Sequence, residues 1–332
     1  MASGHFVFGD VPATISIDPQ DVIWFGNQLQ ANGVNVRRGI SRSIAAARDL
    51  AAIAYAMTLM VKRLPGAVRL QTKVPDSFDV APAAAMISAI HGLRRAHSVN
   101  GDLLDDAWKI LAESAPTSTP QERTNERDHM WEIVNATVYS WFGERVKLNL
   151  ADAGVDVGGR FGAVDWGIEC KVLYSEKSQR RVDRIIDGVK QIEADQSIAK
   201  GVVAVSVTDC LDHTPFKNSF TNAGTAFPTL ANVTALLAAR VKQCAMETTT
   251  KSLQRRLARD RNGRARQKCR AVIYVGQTVA VAGGQVNVFT AQFTALRSPA
   301  EDPDRTFAVR YHDGWIQLQD PPAADDRSEG RP

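Results

Sequence analysis

Cysteine is scarce and scattered in this chain. The four that occur, Cys170, Cys210, Cys244 and Cys269, include no Cys-x-x-Cys pair, so neither a zinc site nor a disulfide framework is expected. Charge of one sign is also lacking. The 40 Lys and Arg against 36 Asp and Glu leave a net +4, which permits nucleic-acid binding without demanding it. No basic segment followed by an apolar core opens the sequence, so no secretory signal is expected. Long apolar runs are missing too. The most apolar helical stretch, residues 44–61, contains Arg48 and Asp49 and is too short and too charged to span a bilayer. These absences point to a soluble, reducing, cytoplasmic setting with no membrane partner.

What is present suffices for a substantial core. At 332 residues and 44% hydrophobic content, two folded units or one enlarged domain are expected. Residues 1–117 read as a mainly helical N-terminal region. Its first 35 or so residues are irregular, with short strands near 6–8 and 14–17. A helix follows from Ser41 or Ser43 to Lys62 or Arg63, stopped by Leu64-Pro65-Gly66, where proline and glycine disfavour continuation. A strand at 68–74 and helices at 82–97 and 103–114 complete the region. Its Met and Ala stripes read as core packing, with a recognition or oligomerisation module as the functional alternative.

The chemistry concentrates further on. Residues 155–173, Val-Asp-Val-Gly-Gly-Arg-Phe-Gly-Ala-Val-Asp-Trp-Gly-Ile-Glu-Cys-Lys-Val-Leu, read as two short strands joined by a glycine-rich turn. Side chains alternate along a strand, so Glu169 and Lys171 share one face while Ile168, Cys170 and Val172 share the other. A carboxylate beside an ammonium is an unusual use of a central strand. Mg²⁺ takes oxygen ligands and keeps several waters. Asp156 and Glu169 are the candidate carboxylates, and the Cys170 carbonyl is the candidate main-chain ligand. Lys171 is placed to orient or deprotonate an attacking water, or to offset charge building on phosphorus. Asp165 shares the parity of Glu169, but four residues of strand put it roughly 13 Å away. Asp152 reads as a turn cap. Asp156, returning across the turn, is favoured over both.

Asp156 followed by Ile168-Glu169-Cys170-Lys171 resembles the PD-(D/E)xK signature of the restriction-endonuclease-like nuclease superfamily, with Val155 standing where that family often has proline. The resemblance covers roughly residues 119–208. It implies an α/β fold with a mixed central sheet flanked by helices, here preceded by the helical N-terminal region. Element order fits that core: a helix from Thr119-Pro120 to Phe142, strands at 145–150 and across the hairpin, a helix at 178–199 and an apolar strand at 202–207. The nuclease core is accordingly expected over 118–296. The resemblance also implies hydrolysis of DNA phosphodiester bonds in restriction, defence or repair, with Mg²⁺, or Mn²⁺ in its place, as cofactor. Asp156, Glu169 and Lys171 become the catalytic residues, and Asp156, Glu169 and Cys170 the metal ligands. Some members carry a glutamate on the preceding helix, a role for which Glu132 and Glu126 compete. A residue early in the following helix can approach the site or the DNA backbone, which makes Gln191 and Arg184 candidates. A homodimer is the assembly that the analogy offers for double-strand cuts.

A basic run, Lys251, Arg255, Arg256, Arg259, Arg261, Arg264, Arg266, Lys268 and Arg270, is opposed only by Asp260. It extends a long helix expected at 230–259. Arg255 and Arg259 are candidates for salt-sensitive backbone contacts; a solvated charge run is the alternative. Strands at 271–281 and 285–296 meet at Gly283-Gly284, a hairpin signal, unless 271–275 instead joins the core sheet. A small hairpin is expected within 297–320, turning at Asp313-Gly314, and a disordered tail over 321–332. Asp209 to His213 brings Cys and His into one loop without a partner to orient a base. Two rival readings stand beside the nuclease: a nucleic-acid-binding protein of the same fold without turnover, and a helical partner-binding protein in which Asp156, Glu169 and Lys171 form a strand-edge ion pair.

Overall fold

The computed structural model describes residues 13–17, 19–32, 47–49, 51, 80–97, 101–113, 120–149, 154–174, 177–221, 226–260, 262–297 and 301–318. Its strands are β1 (Ala13–Ser16), β2 (Glu144–Leu148), β3 (Val157–Phe161), β4 (Val164–Val172), β5 (Lys200–Ser206), β6 (Cys269–Ala282) and β7 (Gln285–Leu296). They form one seven-stranded sheet in the order β1-β7-β6-β5-β4-β3-β2. The sheet is mixed. β2, β3 and β4 form an antiparallel meander, β4, β5 and β6 run parallel, and β7 returns antiparallel to both β6 and β1.

Helices cover both faces. On one face lie α1 (Pro19–Ala31), α2 (Val80–His97), α3 (Gly101–Glu113), α4 (Pro120–Ser140) and α9 (Asp302–Gln317). On the other lie α5 (Ser178–Ala194), α6 (Thr214–Asn218), α7 (Leu230–Thr248) and α8 (Lys251–Ala258). Parallel strands need long crossovers, and α5 supplies the one between β4 and β5. Helices α6 to α8 supply the one between β5 and β6. Burial on two sides explains why Val202, Val203, Ala204 and Val205 form an unbroken apolar run. β6 is buried along its whole length because it both continues the parallel core and forms the hairpin with β7. The two sequence alternatives for that segment are thus both realised.

Helices α1 to α3 share their hydrophobic cluster with α4 and the sheet. Among the described residues the N-terminal region therefore adds to the core layer. Helix α1 lies where the sequence reads as irregular. Its inward residues Val22, Phe25 and Leu29 are buried at helical spacing. The expected helix at 230–259 is two helices, α7 and α8. The Thr250 hydroxyl accepts the Leu253 amide at 3.3 Å and starts the second.

The C-terminal hairpin expected within 297–320 is instead a single helix, α9. A capping box between Glu301 and Asp304 opens it. Phe307, Tyr311 and Trp315, spaced four apart, are all fully buried. That period belongs to a helix, and Gly314 sits inside it because an added Cβ would meet the Val138 carbonyl at 2.7 Å. The expected strands at 6–8 and 68–74, most of the helix from Ser41 onward and the tail 321–332 lie outside the described residues.

Candidate metal centre at the edge of the central strand

The site begins with an uneven pairing. β3 follows β4 only as far as Val157 opposite Ile168, whereas β5 accompanies β4 to Val172. Residues 169–172 therefore have one bare edge. Asp156, the residue just before β3, fills part of it: its Oδ2 accepts the Cys170 amide at 2.6 Å. In a strand, the N–H and C=O of one residue point to the same edge. The Cys170 carbonyl thus faces the bare edge beside Asp156. The Val172 carbonyl, two residues on, faces the same way and accepts Arg184 Nε at 3.3 Å.

Strand parity holds as read from the sequence. Ile168, Cys170 and Val172 enter the cluster beneath α4, while Glu169 and Lys171 face α5. Gly188 allows this approach. A Cβ there would lie 2.9 Å from Glu169 Cγ and 3.4 Å from Lys171 Cε. Glu169 is fully buried; its Oε1 is paired with Lys171 Nζ, and its Oε2 has no hydrogen-bond partner. The Asp156 charge acts on Glu169, and Asp156 is held beside it through the Cys170 amide.

Helix α4 brings further charge from the opposite face. His129 Nδ1 lies 3.2 Å from Glu132 Oε2, and both Glu132 and Asp128 act electrostatically on Asp156. Asp128 binds Arg184 Nη2 at 2.5 Å. That ion pair joins α4 to α5 around the bare edge of β4. Sequence reasoning missed Asp128, His129 and Gly188. Asp128 lies one turn before Glu132 on the same helix, so its face was legible; the glycine's role depends on what packs against it.

Burial pushes the Asp156 carboxyl up to about 6, reinforced by the Glu132 charge and opposed by Lys171. Burial and the Asp156 charge push Glu169 up to about 8, against the pull of Lys171. Burial alone would lower the Lys171 pKa, yet Asp156 and Glu169 outweigh it and hold the ammonium protonated. His129 is likewise raised, because Glu132 outweighs the effect of burial. The pocket is short of positive charge.

The other sequence candidates disperse. Asp165 is exposed opposite Arg160 on the hairpin, and Asp152 lies outside the described residues. The side chain of Glu126 is likewise outside them. Gln191 sits on α5 one turn past Gly188 and, among the described residues, does not join the hydrogen-bonded cluster. Arg255 and Arg259 are exposed, on or at the end of α8, and Arg259 Nη1 donates to the Gly263 carbonyl at 2.9 Å. α8 is tied to α5 by an Arg256–Asp183 pair at 2.9 Å. Several members of the basic run serve the fold instead. Arg266 donates to the Arg256 carbonyl, Lys268 to the Asp195 carbonyl, and Arg270 pairs with Asp304.

Among the described residues no three His, Cys, Asp or Glu side chains converge to hold an ion by themselves. Two carboxylates and a main-chain carbonyl form an open donor set, which suits Mg²⁺ with its retained waters better than a closed zinc site. No helix among the described residues is long and apolar enough to cross a membrane. Comparison with protein-family models, with curated proteins and with solved structures returns no match to this chain.

Proposed function

We propose that this chain is a metal-dependent nuclease with a restriction-endonuclease-like core, hydrolysing DNA phosphodiester bonds. The observation that carries the reading is the meeting of Asp156 and Glu169 at the bare edge of β4, with Lys171 attached to Glu169 and the Cys170 carbonyl facing the same opening. A half-buried carboxylate beside a fully buried one that has an orphaned oxygen, with a single ammonium for the two, constitutes a site in want of a cation. The order α4, β2, β3, β4, α5, β5 supports the same reading, since it is the helix, three strands, helix, strand order of the resembled core.

Asp156, Glu169 and the Cys170 carbonyl would hold Mg²⁺ or Mn²⁺. Such an ion supplies positive charge to a phosphoryl oxygen and lowers the pKa of a bound water. Asp156 also acts on the backbone. By accepting the Cys170 amide it fixes the peptide whose carbonyl faces the site. Lys171 acts as a charged donor. Its raised pKa disfavours a role as base, so it orients the attacking oxygen and offsets charge growing on phosphorus. Glu132 stands by as a further carboxylate and is oriented by His129. DNA as substrate, and a homodimer for double-strand cutting, follow from the resemblance.

The test is cleavage of supercoiled, linear, single-stranded and genomic DNA with Mg²⁺, Mn²⁺ or EDTA. Wild type should cut at least one form with metal and none with EDTA, and Lys171→Ala should bind DNA without cutting. If wild type leaves every DNA intact yet shifts it in a gel, the nuclease reading fails and the inactive DNA-binding protein replaces it. If it neither cuts nor binds, the strand-edge ion pair is structural.

A further inference from the structure

The mouth of the site carries an aromatic side chain that the hydrolytic chemistry does not use. Tyr174 follows β4, three residues past Lys171, and is 37% exposed. Among the described residues it is the one aromatic side chain exposed to that extent. Its hydroxyl lies 3.5 Å from Asp128 Oδ1, while Asp128 Oδ2 takes Arg184 Nη2 at 2.5 Å. One carboxylate thus gathers a ring and a guanidinium at the bare edge of β4. Arg184 also donates Nε to the Val172 carbonyl at 3.3 Å. A guanidinium has five N–H donors, and the Arg184 side chain is still 40% exposed.

Positive charge continues outward from Arg184. Arg180 lies one turn earlier on α5 and Lys177 at its start, both exposed. The acidic residues of that stretch, Asp183 and Asp187, are paired with Arg256 and Lys190. The groups that would meet the scissile phosphate lie deep. Glu169 is fully buried, and the Lys171 side chain is 12% exposed. A phosphate reaches them by entering at the bare edge, between α4 and α5. A duplex carries its phosphates on a stiff cylinder and must bend or open to do this. An unstacked strand can turn in and lay a base on an aromatic face. The Cys170 and Val172 carbonyls, facing the same edge, are two strand residues or roughly 6.6 Å apart. That spacing is about one nucleotide of an extended strand.

Resting on the nuclease reading, we propose that the substrate is an unpaired DNA strand, with Tyr174 stacking on the base beside the scissile phosphate. Arg184 meets the neighbouring phosphate, and Arg180 and Lys177 follow the backbone outward. Asp128 is a positioning residue that holds Arg184 in place. Every base has a π-face, so such stacking selects strand form and not sequence. A single strand is cut at one centre, so this substrate does not call for the homodimer that double-strand cutting needs.

Fluorescence anisotropy of labelled oligonucleotides with the full chain in EDTA reads binding apart from turnover. The single strand should bind more tightly than its own duplex by about tenfold, within the worth of one stacked base. Tyr174→Phe should keep that preference and Tyr174→Leu should lose it. Replacing both Lys177 and Arg180 with Gln should flatten the single-strand slope of log affinity against log salt by about 1.4. Duplex bound as tightly as single strand, a preference that survives Tyr174→Leu, or an unchanged salt slope overturns the proposal. Cleavage with Mg²⁺ or Mn²⁺ is then read separately. Cutting of duplex that ignores Tyr174→Leu sinks the strand preference alone. Single-strand binding through Tyr174 without any cutting sinks the nuclease reading alone.

Discussion

Glu169 is costly to keep ionised where it lies, fully buried in the sheet. Its carboxyl moves from 4.5 to about 8 on folding, so the folded chain without metal holds a proton that the unfolded chain releases. That contribution to stability is present below about pH 4.5 and is lost as pH rises through about 8. Glu169→Gln removes the dependence. Thermal melts at pH 5, 7 and 9 should show the variant gaining on wild type as pH rises, by about 1–3 kcal/mol at the alkaline end. Mg²⁺ should raise the wild-type Tm and leave the variant unmoved. Parallel curves for the two proteins would mean that burial of this carboxylate is not opposed to stability. Protons also compete with the cation for Asp156 and Glu169, so Mg²⁺ affinity by calorimetry should strengthen between pH 6 and pH 8. Lys171→Met should lower turnover by about 10²–10³-fold with DNA binding retained.

At the scale of elements, the close approach of α5 to β4 decides the geometry. Gly188→Ala illustrates two opposed effects. Alanine favours a helix over glycine by about 1 kcal/mol. Against this, its Cβ would stand 2.9 Å from Glu169 Cγ and 3.2 Å from Val203 Cγ1, and overpacking of that kind costs about 1–3 kcal/mol. The net loss of stability should be small, about 0–2 kcal/mol. Activity should suffer more, because displacing a reacting group by about 1 Å costs on the order of 10²-fold. Denaturant titration set beside cleavage kinetics separates the two. A variant that is destabilised in proportion to its lost activity would argue against a positioning role. The half of the chain's motif that departs from the signature it resembles, Val155 for proline, has its own local explanation. The Val155 amide donates to Asp195 Oδ2 at 3.0 Å, a bond that proline lacks the hydrogen to make.

Across the whole molecule, α9 closes the core through charge as well as apolar packing. Arg270 Nη2 meets Asp304 Oδ2 at 2.6 Å, with side-chain exposures of 8% and 1%. Lys200 reaches the other Asp304 oxygen at 2.9 Å and lies over the Trp166 ring, which stacks on Phe307 at 4.1 Å. Removing one partner of such a group leaves buried charge uncompensated. Asp304→Ala should therefore cost about 3–5 kcal/mol in urea unfolding; a loss under about 1 kcal/mol would show that the apolar stripe of α9 suffices alone. These internal pairs also reduce what the basic run offers to DNA. If Arg255 and Arg259 both contact phosphates, replacing both with Ala should flatten the slope of log affinity against log salt by about 2. An unchanged slope would place the DNA on another face.

Period-2 alternation and chain reach are local properties. They were enough to find the strands of the sheet's centre, the parity that pairs Glu169 with Lys171, and the return of Asp156 to the strand that carries Glu169. The turn at Gly283-Gly284, where both glycines adopt positive φ, was legible for the same reason. Other features exist only once the chain has packed. β3 stops short and leaves the edge of β4 bare, because strand ends depend on what pairs beside them. Helices α4 and α5, on opposite faces, are joined by Asp128 and Arg184, residues 56 positions apart in the chain. Residues 302–317 form a helix where a hairpin is expected. Alternation around Asp313-Gly314 and a period-4 stripe are both readable in that segment, and the core behind it selects between them. Packing also spends Arg266, Lys268 and Arg270 on the fold. Contacts between distant residues are fixed by packing and desolvation, and neither is written in local spacing.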